Sequence, residues 1–65
     1  MFKIQQKGTG LFVQYRDKSG TLEFNIGASG DDGYVTLIVK DEVNAKFIVQ
    51  KLVKEFETEF EIVPA

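Results

Sequence analysis

Residues 11–26 read LFVQYRDKSGTLEFNI, and this stretch decides the fold. Apolar side chains alternate with polar ones on both sides of a polar Asp-Lys-Ser-Gly break, and alternation places every second side chain on one face of a strand. A two-residue turn sets Val13 opposite Ile26, and a four-residue turn sets it opposite Phe24. Both registers keep apolar residues together, so the stretch predicts an antiparallel hairpin with one buried face.

The same alternation continues toward both ends of this hairpin. On the N-terminal side, a four-residue turn at 7–10 predicts that Ile4 lies opposite Val13 on the same buried face. On the C-terminal side, a fourth alternating run follows a six-residue, Gly-rich loop at 28–33. Placed beside the third strand, this run sets Phe24 opposite Leu37.

That register also sets Leu22 opposite Val39, so all three connections agree on one apolar face. The four runs therefore predict an antiparallel meander in which each strand pairs with the next along the chain.

After Lys40 the apolar spacing changes to that of a helix. We expect this helix at about 42–56, with Asp41 as its N-cap, because an Asp side chain accepts a hydrogen bond from a free amide of the first turn. Its buried stripe comprises Ala45, Ile48, Val49, Leu52 and Phe56. We expect Leu52 to meet Phe24 and Leu37 at the centre of the core.

A short strand at 59–63 completes the chain, and we expect it to lie antiparallel to the first strand. The predicted fold class is α+β: a four-stranded antiparallel meander (β-β-β-β-α-β) with one helix packed on one face and a short C-terminal edge strand. The expected strand order is 5-1-2-3-4, in a single small domain over residues 1–65.

Composition excludes several function classes. The chain has 65 residues, a net charge of −2, no Cys and no His. It therefore has no disulfide and lacks the ligands of the usual structural zinc sites. The commonest general base and the strongest nucleophile are also missing. We accordingly expect no enzyme activity, no catalytic residue, no cofactor and no metal.

Two further features concern location. The N-terminus lacks the apolar run of a signal peptide, and no stretch approaches the roughly 20 apolar residues of a membrane span. We therefore expect a cytoplasmic protein without a membrane partner.

The helix carries one apolar pair that its buried stripe does not explain. Val43 and Phe47 lie four residues apart, about 160° from the centre of that stripe. Gln50, Lys51 and Lys54 lie beside them. An exposed apolar pair with a polar rim is a candidate partner-binding face, made of Val43, Phe47, Lys51 and Lys54. The alternative is that a loop or the chain terminus covers Phe47.

The outward face of the sheet is the second candidate. It combines cations with aromatic rings, the pairing that single-stranded nucleic-acid platforms use. The residues concerned are Lys3, Phe12, Arg16, Tyr34 and Lys40. The alternative is an ordinary solvated sheet face, because antiparallel sheets commonly face water on one side.

The expected function is therefore a non-enzymatic, small protein-binding module. Its size and plan resemble those of the small inhibitors that bacteriophages and mobile elements direct at host proteins, so an inhibitor or adaptor is one form it takes. The resemblance is one of layout alone. The partner is either another protein or a second copy of the chain, in a homodimer. The alternative function is a single-strand nucleic-acid-binding domain that uses the outward sheet face.

Overall fold

The computed structural model describes residues 1–27 and 31–65. It contains five strands, a short 3₁₀ turn and one helix. The helix packs against one face of an open antiparallel sheet, which confirms the predicted α+β class. The elements are β1 (Phe2–Gln6), β2 (Phe12–Lys18), β3 (Thr21–Gly27), the 3₁₀ turn (Asp31–Gly33), β4 (Val35–Thr36), α1 (Glu42–Phe56) and β5 (Phe60–Pro64).

The β2–β3 hairpin takes the shorter of the two predicted turns. Val13 lies opposite Ile26, so only Ser19 and Gly20 form the loop. Both loop residues have positive φ, 54° and 82°, as in the type I′ turn, whose twist matches that of the two flanking strands. The Asp17 carboxylate accepts a 3.0 Å hydrogen bond from the Gly20 amide. The turn thus fixes the register of the whole hairpin.

β1 and β2 meet beside the predicted turn at 7–10. Gln5 lies opposite Phe12, and the Gln6 amide donates a 2.7 Å hydrogen bond to the Leu11 carbonyl. This is the predicted register, in which Ile4 and Val13 share a face. Both side chains are 0% exposed, so they form the centre of the sheet's buried face.

The position of the fourth strand differs from the prediction. β4 pairs with β2 and not with β3, so the sheet runs β3-β2-β1-β5 with β4 on β2, and the predicted order 5-1-2-3-4 is wrong. The predicted pairs of Phe24 with Leu37 and of Leu22 with Val39 are therefore wrong as well. Part of the loop predicted before this strand, residues 28–30, lies outside the described residues.

The segment around β4 fills the space where β1 and β2 diverge. Thr36 lies opposite Gln14, and the Leu37 amide donates a 3.0 Å hydrogen bond to the Val13 carbonyl. Val39 then exchanges two backbone hydrogen bonds of 2.8 Å with Phe2. β2 is consequently bordered by β3 along one edge and by β1 and β4 in succession along the other.

The helix has the predicted bounds, Glu42–Phe56, and the predicted cap. The Asp41 carboxylate accepts a 2.9 Å hydrogen bond from the Asn44 amide. The helix ends at Glu57, which adopts a left-handed φ of 53° and donates its amide to the Val53 carbonyl at 3.0 Å. Since Gly is the usual residue at such a position, the helix stops here without the ordinary sequence signal.

The core lies between the helix and the sheet. Its buried members are Ile4, Val13, Val39, Ala45, Leu52 and Phe60. The partly buried Phe24 and Leu37 pack against this cluster with the remaining residues of the helix stripe, Ile48, Val49 and Phe56. The stripe is therefore confirmed, although Phe24 and Leu37 are less deeply buried than predicted.

β5 lies antiparallel to β1, as predicted, with Ile62 opposite Ile4. It forms one edge of the sheet, and β3 forms the other. Within residues 1–27 and 31–65, no helix is both long and apolar enough to cross a membrane.

Replacing Leu52 by Ala tests the helix face. Leu52 is 2% exposed, so its truncation leaves a cavity and should lower the free energy of unfolding by about 2–5 kcal/mol in a urea titration. Val53→Ala is the matched control, because this neighbouring side chain is 39% exposed and should lose less than about 1 kcal/mol. A folded Leu52→Ala variant with unchanged stability would contradict the packing.

Candidate functional site

The outer face of the helix carries two large, exposed apolar side chains. Val43 is 65% exposed and Phe47 is 62% exposed, so no described part of the chain covers them. Residues four apart lie side by side on a helix surface, and the two side chains therefore form one patch. The predicted exposure of this pair is confirmed.

The patch forms one wall of a shallow depression of about 210 Å³. Lys46 and Gln50 complete its lining beside Val43 and Phe47. Gln50 was predicted beside this pair, whereas Lys46 was not. Lys46 follows Val43 by three positions, and this helical spacing could have identified it. We call Val43, Lys46, Phe47, Gln50, Lys51 and Lys54 together the outer helix face.

Positive charge surrounds the apolar centre of this face. On a regular helix, Lys51 lies one turn beyond Phe47, and Lys54 lies two turns beyond it within about 20° of its direction. Neither lysine forms an ion pair within the described residues, whereas the Lys46 ammonium lies 3.8 Å from the Glu42 carboxylate. A partner that contacted Phe47 would therefore also meet the ammonium groups of Lys51 and Lys54, which no described carboxylate pairs with.

The outward sheet face brings its predicted residues together in two pairs. The Lys3 ammonium lies 5.1 Å from the centre of the Phe12 ring, and the Arg16 guanidinium lies 4.5 Å from that of Tyr34. Phe12 and Arg16 are four residues apart on β2, so the two pairs occupy different parts of the face. Lys40 is exposed at the bend before the helix.

Arg16 is already engaged by the protein itself. Its guanidinium donates a 2.9 Å hydrogen bond to the Asp32 carbonyl and lies 3.6 Å from the Glu23 carboxylate. A base that stacked on the side of the Tyr34 ring facing Arg16 would have to displace this guanidinium. The outward sheet face is therefore less available to a nucleic acid than the sequence alone suggests.

The centre of this face is also closed. Its middle residue, Gln14, is 0% exposed, although it shares the parity of Phe12 and Arg16 on β2. Gln14 lies opposite Asn25 of β3 and Thr36 of β4. The predicted open platform is therefore interrupted at this position.

No group of three or more metal-ligating side chains occurs in the part of the chain that the structure describes. Comparison with protein-family models, with curated proteins and with solved structures finds no match. The functional argument therefore depends on the chemistry of the two faces described above.

The outward sheet face gives a direct prediction about nucleic acids. With a net charge of −2 and its cations dispersed, the protein should bind a duplex oligonucleotide no more tightly than about 1 μM at physiological salt. Fluorescence anisotropy measures this affinity. Sub-micromolar duplex binding would contradict the prediction. Single-strand binding that disappears when Lys3, Arg16 and Lys40 are replaced by Ala would favour the alternative function.

Proposed function

We propose that the protein is a non-enzymatic binding module that contacts another protein through the outer helix face. The observation that carries this proposal is the exposure of Phe47, 62%, which together with Val43 forms one wall of a shallow depression beside Lys51 and Lys54. Large aromatic side chains of this kind, surrounded by a polar rim, are typical anchors of protein interfaces.

Folding does not require Phe47 at this position. The helix buries its opposite face through the stripe that includes Ala45 and Leu52, and this stripe alone packs on the sheet. A Phe that is mostly exposed adds little to the stability of the isolated chain, about 0.2–0.5 kcal/mol from an apolar pair such as the one with Val43. Its benefit would come from an interaction that removes it from water, and a fully buried side chain of this size contributes about 1.5–3 kcal/mol.

The charge around Phe47 selects the chemistry of the partner. Lys51 and Lys54 favour a surface with carboxylates around an apolar residue. A second copy of the same face would instead bring lysines against lysines, and like-charge contacts oppose association. We therefore assign this face to a different protein whose docking surface is acidic at its rim.

The inhibitor or adaptor form of this module follows from the same reasoning. A 65-residue chain without His or Cys has little chemistry of its own, so it acts by occupying a surface of its partner. The outward sheet face supports the nucleic-acid alternative only through its two cation–ring pairs, and Arg16 is already held by Glu23 and the Asp32 carbonyl.

Phe47→Ala is the variant that tests this proposal. Because the ring is exposed, its removal should change the free energy of unfolding by less than about 1 kcal/mol. Affinity for a partner purified after capture from host lysate should fall by about 30-fold, the effect of losing an interface anchor worth about 2 kcal/mol. A urea titration measures the free energy of unfolding, and isothermal titration calorimetry or surface plasmon resonance with the purified partner measures the affinity.

Two further variants make the result specific. Ile38→Ala removes an exposed apolar side chain from outside the helix and should leave the affinity unchanged. The double variant Lys51→Glu, Lys54→Glu should weaken binding while the protein stays folded. If Ile38→Ala abolishes binding and Phe47→Ala does not, the helix is not the contact surface. If Phe47→Ala unfolds the protein, the residue belongs to the core.

A further inference from the structure

The outer edge of β3 is unpaired. Because β4 pairs with β2, no strand among residues 1–27 and 31–65 lies against the outer side of Thr21–Gly27. A seven-residue edge of this kind presents unpaired backbone groups to solvent and is a template for another strand. This surface is separate from the outer helix face.

The pairing pattern identifies which backbone groups are free. The Leu37 amide bonds to the Val13 carbonyl, so odd-numbered residues of β2 direct their backbone groups toward β4 and β1. Even-numbered residues of β2 therefore bond to β3, where their partners are odd-numbered. The even-numbered residues of β3 consequently point three N–H and three C=O groups outward, at Leu22, Phe24 and Ile26.

The two edges of the sheet differ in how they resist pairing. β5 carries Glu61 and ends in Pro64, which has no N–H, and both features discourage strand addition. β3 contains no Pro and only one charge, Glu23, whose carboxylate lies 3.6 Å from the Arg16 guanidinium of the same molecule. The β3 edge is thus long, nearly uncharged and unprotected.

We propose that the β3 edge pairs with the β3 edge of a second copy of this chain, antiparallel and centred on Phe24. Phe24 then faces its counterpart, and Leu22 of each copy faces Ile26 of the other. All six outward backbone groups of each strand find partners, which makes six hydrogen bonds across the interface. The apolar face of one sheet continues into the other.

This register is favoured over both of its in-phase neighbours. Centring on Phe24 sets Glu23 opposite Asn25, a pair without repulsion. The register centred on Glu23 sets two carboxylates directly opposite each other, which is unfavourable, and brings Gly20 of the hairpin turn into the pairing. The register centred on Asn25 pairs only Phe24 with Ile26 among the outward residues of Thr21–Gly27, so it makes four hydrogen bonds there and not six.

The dimer would present two outer helix faces together. The two-fold axis stands perpendicular to the joined sheet, so both helices lie on the same side of it. The dimer would therefore offer two equivalent docking faces. This inference does not depend on the proposed partner, because the β3 edge and the outer helix face share no residue.

Sedimentation velocity over a concentration series tests the proposal with the full chain. Wild type should show reversible monomer–dimer association. Asn25→Glu sets Glu opposite Glu23 twice in the symmetric interface, whereas Asn25→Lys sets Lys there. The dimer dissociation constants of these two variants should differ by at least about tenfold, with Asn25→Lys the tighter.

Charge-matched controls exclude an effect of net charge alone. Lys7→Gln and Glu55→Gln change the net charge as the two Asn25 variants do, at exposed positions outside β3. Their dissociation constants should differ by less than twofold. Leu22→Pro removes one outward N–H without touching the bonds to β2, and it should weaken the dimer through the backbone while the protein remains folded by circular dichroism.

Several results would overturn the proposal. One is a wild-type chain that stays monomeric up to about 1 mM. That value is taken as the upper limit because covalently linked sites rarely experience a higher effective concentration of each other. Another is equal dimerisation of the Asn25→Glu and Asn25→Lys variants. A third is a dimer that survives Leu22→Pro and is lost in Phe47→Ala, because that pattern would place the contact on the outer helix face.

Discussion

The occupation of both edges of β2 is the constraint on which the rest of the structure depends. The two-residue turn at Ser19 and Gly20 places β3 along one edge. The Leu37 amide and the two bonds between Val39 and Phe2 place the β4 segment along the other, between β1 and β2. This arrangement places Val39 in the buried core. It also leaves β3 without an outer neighbour among the described residues. The pairing of β4 with β2 therefore accounts both for the packed core and for the free edge of β3.

The sequence predicts some elements of this fold closely because their signals are local. The helix bounds follow from the Asp41 cap and the change of apolar period. Parity gives the buried face of the hairpin and leaves a two-residue and a four-residue turn open, and the turn at Ser19 and Gly20 decides between them. The position of β4 could not be predicted in this way. Leu37 finds an apolar partner beside either Phe24 or Val13, so alternation alone does not distinguish the two strands. Only the hydrogen bonds that the segment makes to both β2 and β1 decide between them.

The candidate surfaces also differ in how far the sequence predicts them. The exposure of Val43 and Phe47 follows from helical spacing, which is local, and the structure has it as predicted. The outward sheet face depends on which strands are neighbours. In the structure Gln14 is buried and Arg16 stacks on Tyr34, so the platform that the sequence predicts is partly closed. We therefore base our proposals on the outer helix face and the β3 edge, which the described residues leave uncovered.

Residue-specific amide hydrogen exchange at micromolar and millimolar concentrations tests the position of β4 most directly. The structure predicts slow exchange for Leu37 and Val39, whose amides are bonded to Val13 and Phe2, at every concentration. In β3 it predicts slow exchange for Glu23 and Asn25 and fast exchange for Leu22, Phe24 and Ile26 in the dilute monomer. Protection of these last three amides in a sample that sedimentation velocity shows to be monomeric would contradict this strand order, because another strand of the same molecule would then cover the β3 edge.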